Sequence, residues 1–419
     1  MTLLKGNVSP FLKNVIKLVS ATGLAQVVQL IATPVLTRIF TPEEFSIYQL
    51  FYSAAAIVAV IATLRYELAI VLPREDSDAR KLTSGSILIS FLLAVLCCVV
   101  LITCFLLGIF RDAPYYFWLP LYIALAGISQ SFNYWSIRKG TYNLNLSSRI
   151  TTSIVQAGTG IALGMAGYTT FGLIIALFSG QIASALILSR DYLKSPDNFH
   201  LRNGRQRLKD LLQEHIKFPK FNSPHALVDT LQDHGIVFVL SVYFEQSLIA
   251  FYGQAFRLLK APVGFIGAAL HQVFYPDFTR RYQSGENLRG TVKNFYLRLF
   301  IIGAPFFLVL GIFAIPFFRW FLGDEWVDVG HIVQILTPWL FLNFIASPLS
   351  SMPLIAGRQG TAALLTFTEL IFRITAIIIG GKMANSTLAI GLISIFGSLF
   401  TTINIIWYYR LAKGHENHS

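Results

Sequence analysis

Between Leu82 and Gly108 the chain runs for 27 residues, LTSGSILISFLLAVLCCVVLITCFLLG, without one charged side chain. About 20 predominantly apolar residues in a helix cross the roughly 30 Å of bilayer hydrocarbon, so this stretch alone is long enough to span. It has company. Further apolar runs lie near residues 14–36, 44–64, 114–135, 146–166, 170–189, 222–244, 248–274, 291–317, 331–354, 361–380 and 387–409. In lipid the backbone must satisfy its own polar groups, which leaves helices or a closed barrel, and the runs show none of the alternation of barrel strands. With 54% hydrophobic and 13% charged residues there is too little polar surface for a soluble globule of this length. The expectation is an all-α polytopic membrane protein with about twelve transmembrane helices.

Lysine and arginine sort by side. Of the 33 basic residues, 26 fall on the side that holds both termini, and only Arg38, Arg111, Arg319 and Lys382 fall opposite. The positive-inside rule therefore puts both termini in the cytoplasm. The net charge of +12 is a topology signal, and no basic element with a fold to present it points to nucleic acid. The first apolar stretch follows MTLLKGNVSPFLKNVIKLV, is too long for a signal peptide and lacks a small-residue cleavage site, so it reads as a retained first span. Cys97, Cys98 and Cys104 share one apolar run without metal-site spacing, and the His415–His418 tail reads as solvated, so neither a metal site nor a cofactor is expected.

The longest loop, between Arg190 and Phe221, is cytoplasmic by this count and contains RQRLKDLLQEHIKF. Leu208, Leu211, Leu212 and Ile216 share a face, with Arg205, Lys209 and Lys217 around it, the pattern of a helix lying in the membrane interface. This loop divides the chain into an N-terminal half over residues 1–195, a linker over 196–221 and a C-terminal half over 222–419. Phe40–Tyr48 (FTPEEFSIY) and Phe244–Tyr252 (FEQSLIAFY) occupy matching places in the two halves, a trace of an internal repeat.

Charges inside spans are costly, about 2.5 to 3.5 kcal/mol each at a helix centre on insertion scales. Six are present: Arg257, Lys260 and Arg373 against Asp229, Asp233 and Glu369. His225, Asp229 and Asp233 recur at i, i+4, i+8, while Arg257, Lys260, Gly264, Gly267 and His271 form a stripe on the next span. Two carboxylates one turn apart in low dielectric compete for a proton, which marks Asp229 and Asp233 as a proton or cation site. Glu369 and Arg373 stand four apart in the favourable order for an ion pair within one helix. The first span offers an uncharged stripe, Thr22, Gln26, Gln29 and Thr33. Read structurally instead, the six charges sum to zero and pair to hold helices together.

The stretch TPVLTRIFTPEEFSIYQLFYSAAAIVAVIATLRYELAIVLPRED, residues 33–76, resembles the first two spans of the O-antigen (Wzx-type) polysaccharide flippases of the multidrug/oligosaccharidyl-lipid/polysaccharide exporter superfamily. The pieces that carry it are Leu36–Arg38, Thr41–Phe45 and Arg65–Pro73. The resemblance implies a MATE-like fold of two six-helix bundles in the bacterial inner membrane. It also implies translocation of an undecaprenyl-diphosphate-linked oligosaccharide between leaflets, with a polysaccharide polymerase and a chain-length regulator as partners. Arg257, Lys260, Arg373 and Arg65 are then the candidate cationic substrate contacts, with Asp229, Asp233, Glu369 and Glu67 balancing charge. Gln26, Gln29, Thr33, His225 and His271 would line a polar cavity. The first span has no deep basic residue, unlike some lipid-linked oligosaccharide flippases, so diphosphate binding would lean on the C-terminal half. A cation- or drug-antiporting exporter of the same fold, or a membrane polysaccharide polymerase, would share many of these features.

Overall fold

A computed structural model of the protein describes residues 10–109, 113–194 and 201–413, without the side chains of 10–22, 201–205, 261–262, 265–266, 268–269, 271–274 and 276. Arg111, the His415–His418 tail and the side chains of Thr22, Arg205 and His271 thus lie outside the described residues. Among the described residues every regular element is a helix, as a chain that must close its backbone hydrogen bonds within apolar surroundings requires.

The α-helices are α1 Pro10–Ile39, α2 Pro42–Ala59, α3 Asp76–Leu106, α4 Leu119–Arg138, α5 Tyr142–Met165, α6 Thr170–Lys194, α7 Leu201–Glu214, α8 Ser223–Thr230 and α9 Ile236–Tyr243. They continue as α10 Gln246–Gln283, α11 Arg289–Leu322, α12 Val327–Ala346, α13 Met352–Ile355, α14 Gln359–Lys382 and α15 Ser386–Leu411. Each apolar run of the sequence carries helix. Six stretches, Asp76–Leu106, Thr170–Lys194, Arg289–Leu322, Asp324–Ile355, Gln359–Lys382 and Ser386–Leu411, are long and apolar enough to cross a membrane, which makes this a multi-pass membrane protein.

Two compact units emerge: Met1–Phe40 with Ile47–Gly235, and Thr41–Ser46 with Ile236–Ser419. In unit 1, α5 packs between α1 and α6, and α4 packs on α3 and α6. In unit 2, α12 packs on α10, α11 and α15, and α14 on α9 and α15. Phe45 explains why a piece of the first outer turn goes with unit 2: its ring meets Trp326 edge-on at 5.1 Å, and Phe251 does so at 5.8 Å. Without a hydrophobic driving force between helices in lipid, association relies on close packing at small residues. Gly330 on α12 shows this, since a Cβ there would lie 2.6 Å from the Ile315 Cα of α11.

The division between units falls at Gly235, inside the seventh apolar run and downstream of the 196–221 linker. That run is one helix interrupted twice. Phe218–Asn222 and Leu231–Gly235 are π-helical turns flanking α8, and α9 carries the apolar remainder. Two of three pieces, with α7, therefore go with unit 1.

Helix α7 has the amphipathic face that its sequence predicts, and that face is covered by protein. Leu211 is fully buried among Ala69, Ile70, Ala79, Leu82 and Trp135, with Leu212 beside it. Leu208 reaches Gly85 of α3 so closely that a Cβ there would sit 2.7 Å from its side chain. The polar ring around the face is fixed too: Arg207 pairs with Asp78, and the Tyr66 hydroxyl donates to the Leu212 carbonyl at 3.0 Å.

Candidate functional site

Unit 2 brings its membrane-depth cations onto aromatic faces. On α10, Tyr252, Phe256 and Lys260 recur four residues apart and so share a helix face. The Tyr252 and Phe256 rings stack at 5.9 Å, 12° from parallel, and Phe256 in turn stacks on Trp339 of α12 at 6.0 Å. Arg373 of α14 lies over the Trp339 ring at 4.2 Å, and the Lys260 ammonium lies 5.0 Å over Phe256. Such contacts gain strength when the cation is desolvated, up to about 2 kcal/mol or more. Trp339 can enter the stack because α15 offers Gly397 at its back, where a Cβ would meet the indole Nε1 at 2.7 Å.

The other charges of unit 2 are committed locally. Arg373, only 5% exposed, donates through Nη2 to Glu369 at 2.5 Å, the pair that the sequence spacing predicts. Arg257 donates to the Gln254 Oε1 at 2.7 Å. Gln254 Nε2, Trp339 Nε1 and Arg373 Nε are buried with no hydrogen-bond partner among the described residues. Three N–H donors, two cations and three stacked rings are a set that accepts anionic oxygens and sugar faces, and the same donors repel a simple cation.

Unit 1 has a different interior. Tyr48 and Tyr52 stack at 6.0 Å, and His234 meets Tyr52 edge-on at 5.5 Å. Gln156 donates to the Tyr48 hydroxyl at 3.4 Å and Gln181 to that of Tyr122 at 3.1 Å. His225 and Asp229 touch at 3.3 Å with side chains 68% and 55% exposed, so they face out of unit 1's own core. Asp233 sits in the second π turn, where the extra residue per turn breaks the i, i+4, i+8 register with Asp229. Of the first-span stripe, Gln29 donates to the Ser153 carbonyl of α5, and buried Thr33 returns its hydroxyl to the Gln29 carbonyl. Those two groups join helices, while Gln26 is half-buried.

The stretch Arg65–Pro73 forms a rigid corner between α2 and α3. Leu64 and Arg65 both adopt left-handed backbone, φ 49° and 63°, a conformation costly for residues with a Cβ and found where surrounding structure imposes it. What imposes it is the carboxylate of Glu67, 1% exposed, which accepts from the Thr63 hydroxyl and lies 3.4 Å from the Arg65 guanidinium. Arg138 then clamps the far side, donating to the Pro73 carbonyl at 2.6 Å and to Asp76 at 3.0 Å. Asp78, in the first turn of α3 before the apolar run starts at Leu82, takes Arg207 and Lys81. The hydrogen bonds from Arg207 hold the Asp78 carboxyl below its ordinary range.

Sequence reasoning placed Arg257, Lys260, Arg373, Arg65, Glu67 and Glu369 on the elements where they stand. It did not find Phe256 or Trp339. Phe256 was legible in the four-residue spacing with Tyr252 and Lys260, whereas nothing local marks Trp339, which arrives from another helix.

Known proteins bear on this arrangement. A lipopolysaccharide biosynthesis protein, WzxC of Escherichia coli (strain K12), is 22% identical over 192 residues, which cover 44% of this chain and 38% of that protein. The aligned part thus spans less than half of the relative's length. Among solved structures, an inward-facing multidrug resistance MATE family transporter of the MOP superfamily superposes with a TM-score of 0.71 at 17% identity, covering 95% of this chain and 96% of the other. The lipid II flippase MurJ, in an inward closed conformation, gives 0.71 at 16% identity over 94% and 87%. Both superpositions establish the fold. The model of the polysaccharide biosynthesis protein family matches residues 35–331, most of the chain and both of the sites just described in large part, and the chain belongs to that family.

Proposed function

We propose that the protein is a flippase, a transporter and not an enzyme. It moves an undecaprenyl-diphosphate-linked oligosaccharide, an O-antigen or related repeat unit, from the cytoplasmic to the periplasmic leaflet of the bacterial inner membrane. The observation that carries this reading is the cation-capped aromatic stack Tyr252–Phe256–Trp339 with Lys260 and Arg373. A diphosphate at membrane depth needs fixed cations, and sugar rings need aromatic faces and N–H donors. The family description and the names of WzxC and MurJ support the same cargo class.

In this reading about twelve spans form two six-helix bundles with both termini in the cytoplasm, and access alternates between the two leaflets. The diphosphate and sugars enter the polar interior while the prenyl tail stays in the bilayer. A membrane potential negative inside favours outward movement of negative charge by about 2.3 kcal/mol per charge per 100 mV. Two net charges therefore gain roughly 4 to 5 kcal/mol, enough to bias export without a second gradient. Asp229 and Asp233 serve as a proton or charge-balancing pair, and a polymerase and chain-length regulator consume the product.

The test is transbilayer movement of a labelled undecaprenyl-diphosphate oligosaccharide in proteoliposomes under an imposed potential. Movement that follows the potential and is lost in Arg257→Ala and Lys260→Ala is the expected result. Absence of movement with folded protein, together with efflux of organic cations, would instead favour an exporter of the multidrug type, for which the exposed His225–Asp229 contact is the best feature.

A further inference from the structure

A second basic centre lies in unit 1, at the end where α2, α4 and α5 meet the Arg65 corner. Three hydrogen bonds fix the framework. Gln130 of α4 donates to the Ala59 carbonyl at the end of α2 at 3.0 Å, immediately before the turn that leads to Arg65. Asn145 at the start of α5 donates to Asn133 Oδ1 at 2.6 Å, and it accepts from Ser136 at 2.7 Å. Arg149 stands one helical turn beyond Asn145 on the same face, and Tyr134 stands one turn beyond Gln130. The Tyr134 hydroxyl is accordingly within electrostatic reach of Arg65, Glu67 and Arg149 together.

The groups at this centre do not cancel. Two guanidiniums face one carboxylate, and Glu67 is already occupied by Thr63 and by one side of Arg65. Arg65 retains a buried Nε–H with no acceptor among the described residues, and the Arg149 side chain is exposed. The left-handed backbone at Leu64 and Arg65 aims the first guanidinium, and Glu67 fixes its angle, so Glu67 is a positioning residue. A planar fork of N–H donors on each side of a phenol matches the oxygens of a phosphate ester, which accept bidentate bonds from arginine.

We propose that Arg65, Arg149 and the Tyr134 hydroxyl form an anion site on unit 1 that binds a phosphate or diphosphate group, in addition to the cation-capped stack of unit 2. The proposal takes its cargo from the flippase reading but stands on its own chemistry. Two sources offer that chemistry: the diphosphate of a lipid-linked sugar and the headgroup of an anionic phospholipid.

The experiment uses the full chain in phosphatidylcholine nanodiscs and follows binding of inorganic pyrophosphate by titration calorimetry. Arg149→Ala is expected to weaken binding about tenfold, the scale of one charge-assisted contact. Arg149→Lys keeps the charge and loses the fork, so about threefold is expected, and Tyr134→Phe is expected to cost about the same. Lys209→Ala, on the exposed side of α7, should bind as the wild type does. Wild-type affinity in both Arg149→Ala and Tyr134→Phe, with the protein folded, would overturn the site. So would loss of all binding in Arg257→Ala with Lys260→Ala, since the anion would then sit only in unit 2. If the Arg149-dependent binding is present and lipid-linked sugar still fails to cross, the flippase reading falls and the anion site stands. Phosphatidylglycerol added to the nanodiscs separates the sources. Displacement of pyrophosphate through Arg149 assigns the site to bilayer headgroups, and no displacement assigns it to the cargo; either supports phosphate chemistry.

Discussion

In unit 1 the polar side chains of the helices meet largely through neutral groups, Gln156 with Tyr48, Gln181 with Tyr122, Gln29 with the backbone of α5. In unit 2 the corresponding interior is aromatic, and charge is carried on ring faces and in the buried Glu369–Arg373 pair. Neutral amides and hydroxyls suit exchange of hydrogen bonds with a sugar, because each bond lost is replaced by a similar one. Cations held on rings suit an anion, because the ring leaves the N–H donors uncommitted. A cargo with a charged end and a polar chain matches the pair of interiors better than either alone.

The largest test of this contrast is Arg373→Ala. It leaves Glu369 buried without its partner, and such losses cost about 3 to 5 kcal/mol, read from unfolding in detergent. A loss under about 1 kcal/mol would mean that the pair is hydrated and that unit 2 is not the charged interior described. Next comes Gly330→Ala, whose new methyl would strike the α11 backbone, with an expected loss of about 2 kcal/mol. Gly158→Ala in unit 1, with open space around it, should be neutral or gain up to about 1 kcal/mol. In unit 1 the sharpest probe is Thr63→Val, which removes the hydroxyl that Glu67 accepts and should cost about 1 to 3 kcal/mol. Arg65-dependent pyrophosphate binding should fall with it; if it does not, the corner does not set the guanidinium.

The smallest effect concerns the α7 dock. The Asp78 carboxyl is lowered in the folded protein, so its contribution is complete above the ordinary carboxylate range and is lost as pH falls through the lowered value. Limited proteolysis of the linker should therefore quicken in acid, and Asp78→Asn should show about a twofold to fivefold faster cut already at neutral pH. Equal rates in variant and wild type would show that the apolar face alone, around Leu211, holds the helix.

Apolar runs, the side of the basic loops and the Glu369–Arg373 pair were all open to reading, since each is set by neighbours in sequence or by the solvent. The amphipathic face of α7 was legible as well, but its partner was not. The periodicity that fits Leu211 to a membrane surface fits it equally to the side chains of Ala69, Ile70 and Trp135. Trp339 and Arg149 escaped for a related reason: each matters through groups on other helices, and residue spacing carries no trace of them. The left-handed pair Leu64–Arg65 was invisible because neither residue type favours that backbone.

The two π turns of the seventh run carry a surplus. Each holds about one residue more than a regular α-helical turn would. Deleting one residue from Leu231–Gly235 could be absorbed as unbroken α-helix, at the cost of rotating everything beyond it by about 100° about the axis. The phase between the polar lower half and the apolar upper half is thus written in chain length. A single-codon deletion there should behave like a re-clocked gear, leaving composition and hydropathy intact while turning Ile236, Val237 and Leu240 away from the neighbours that now bury them.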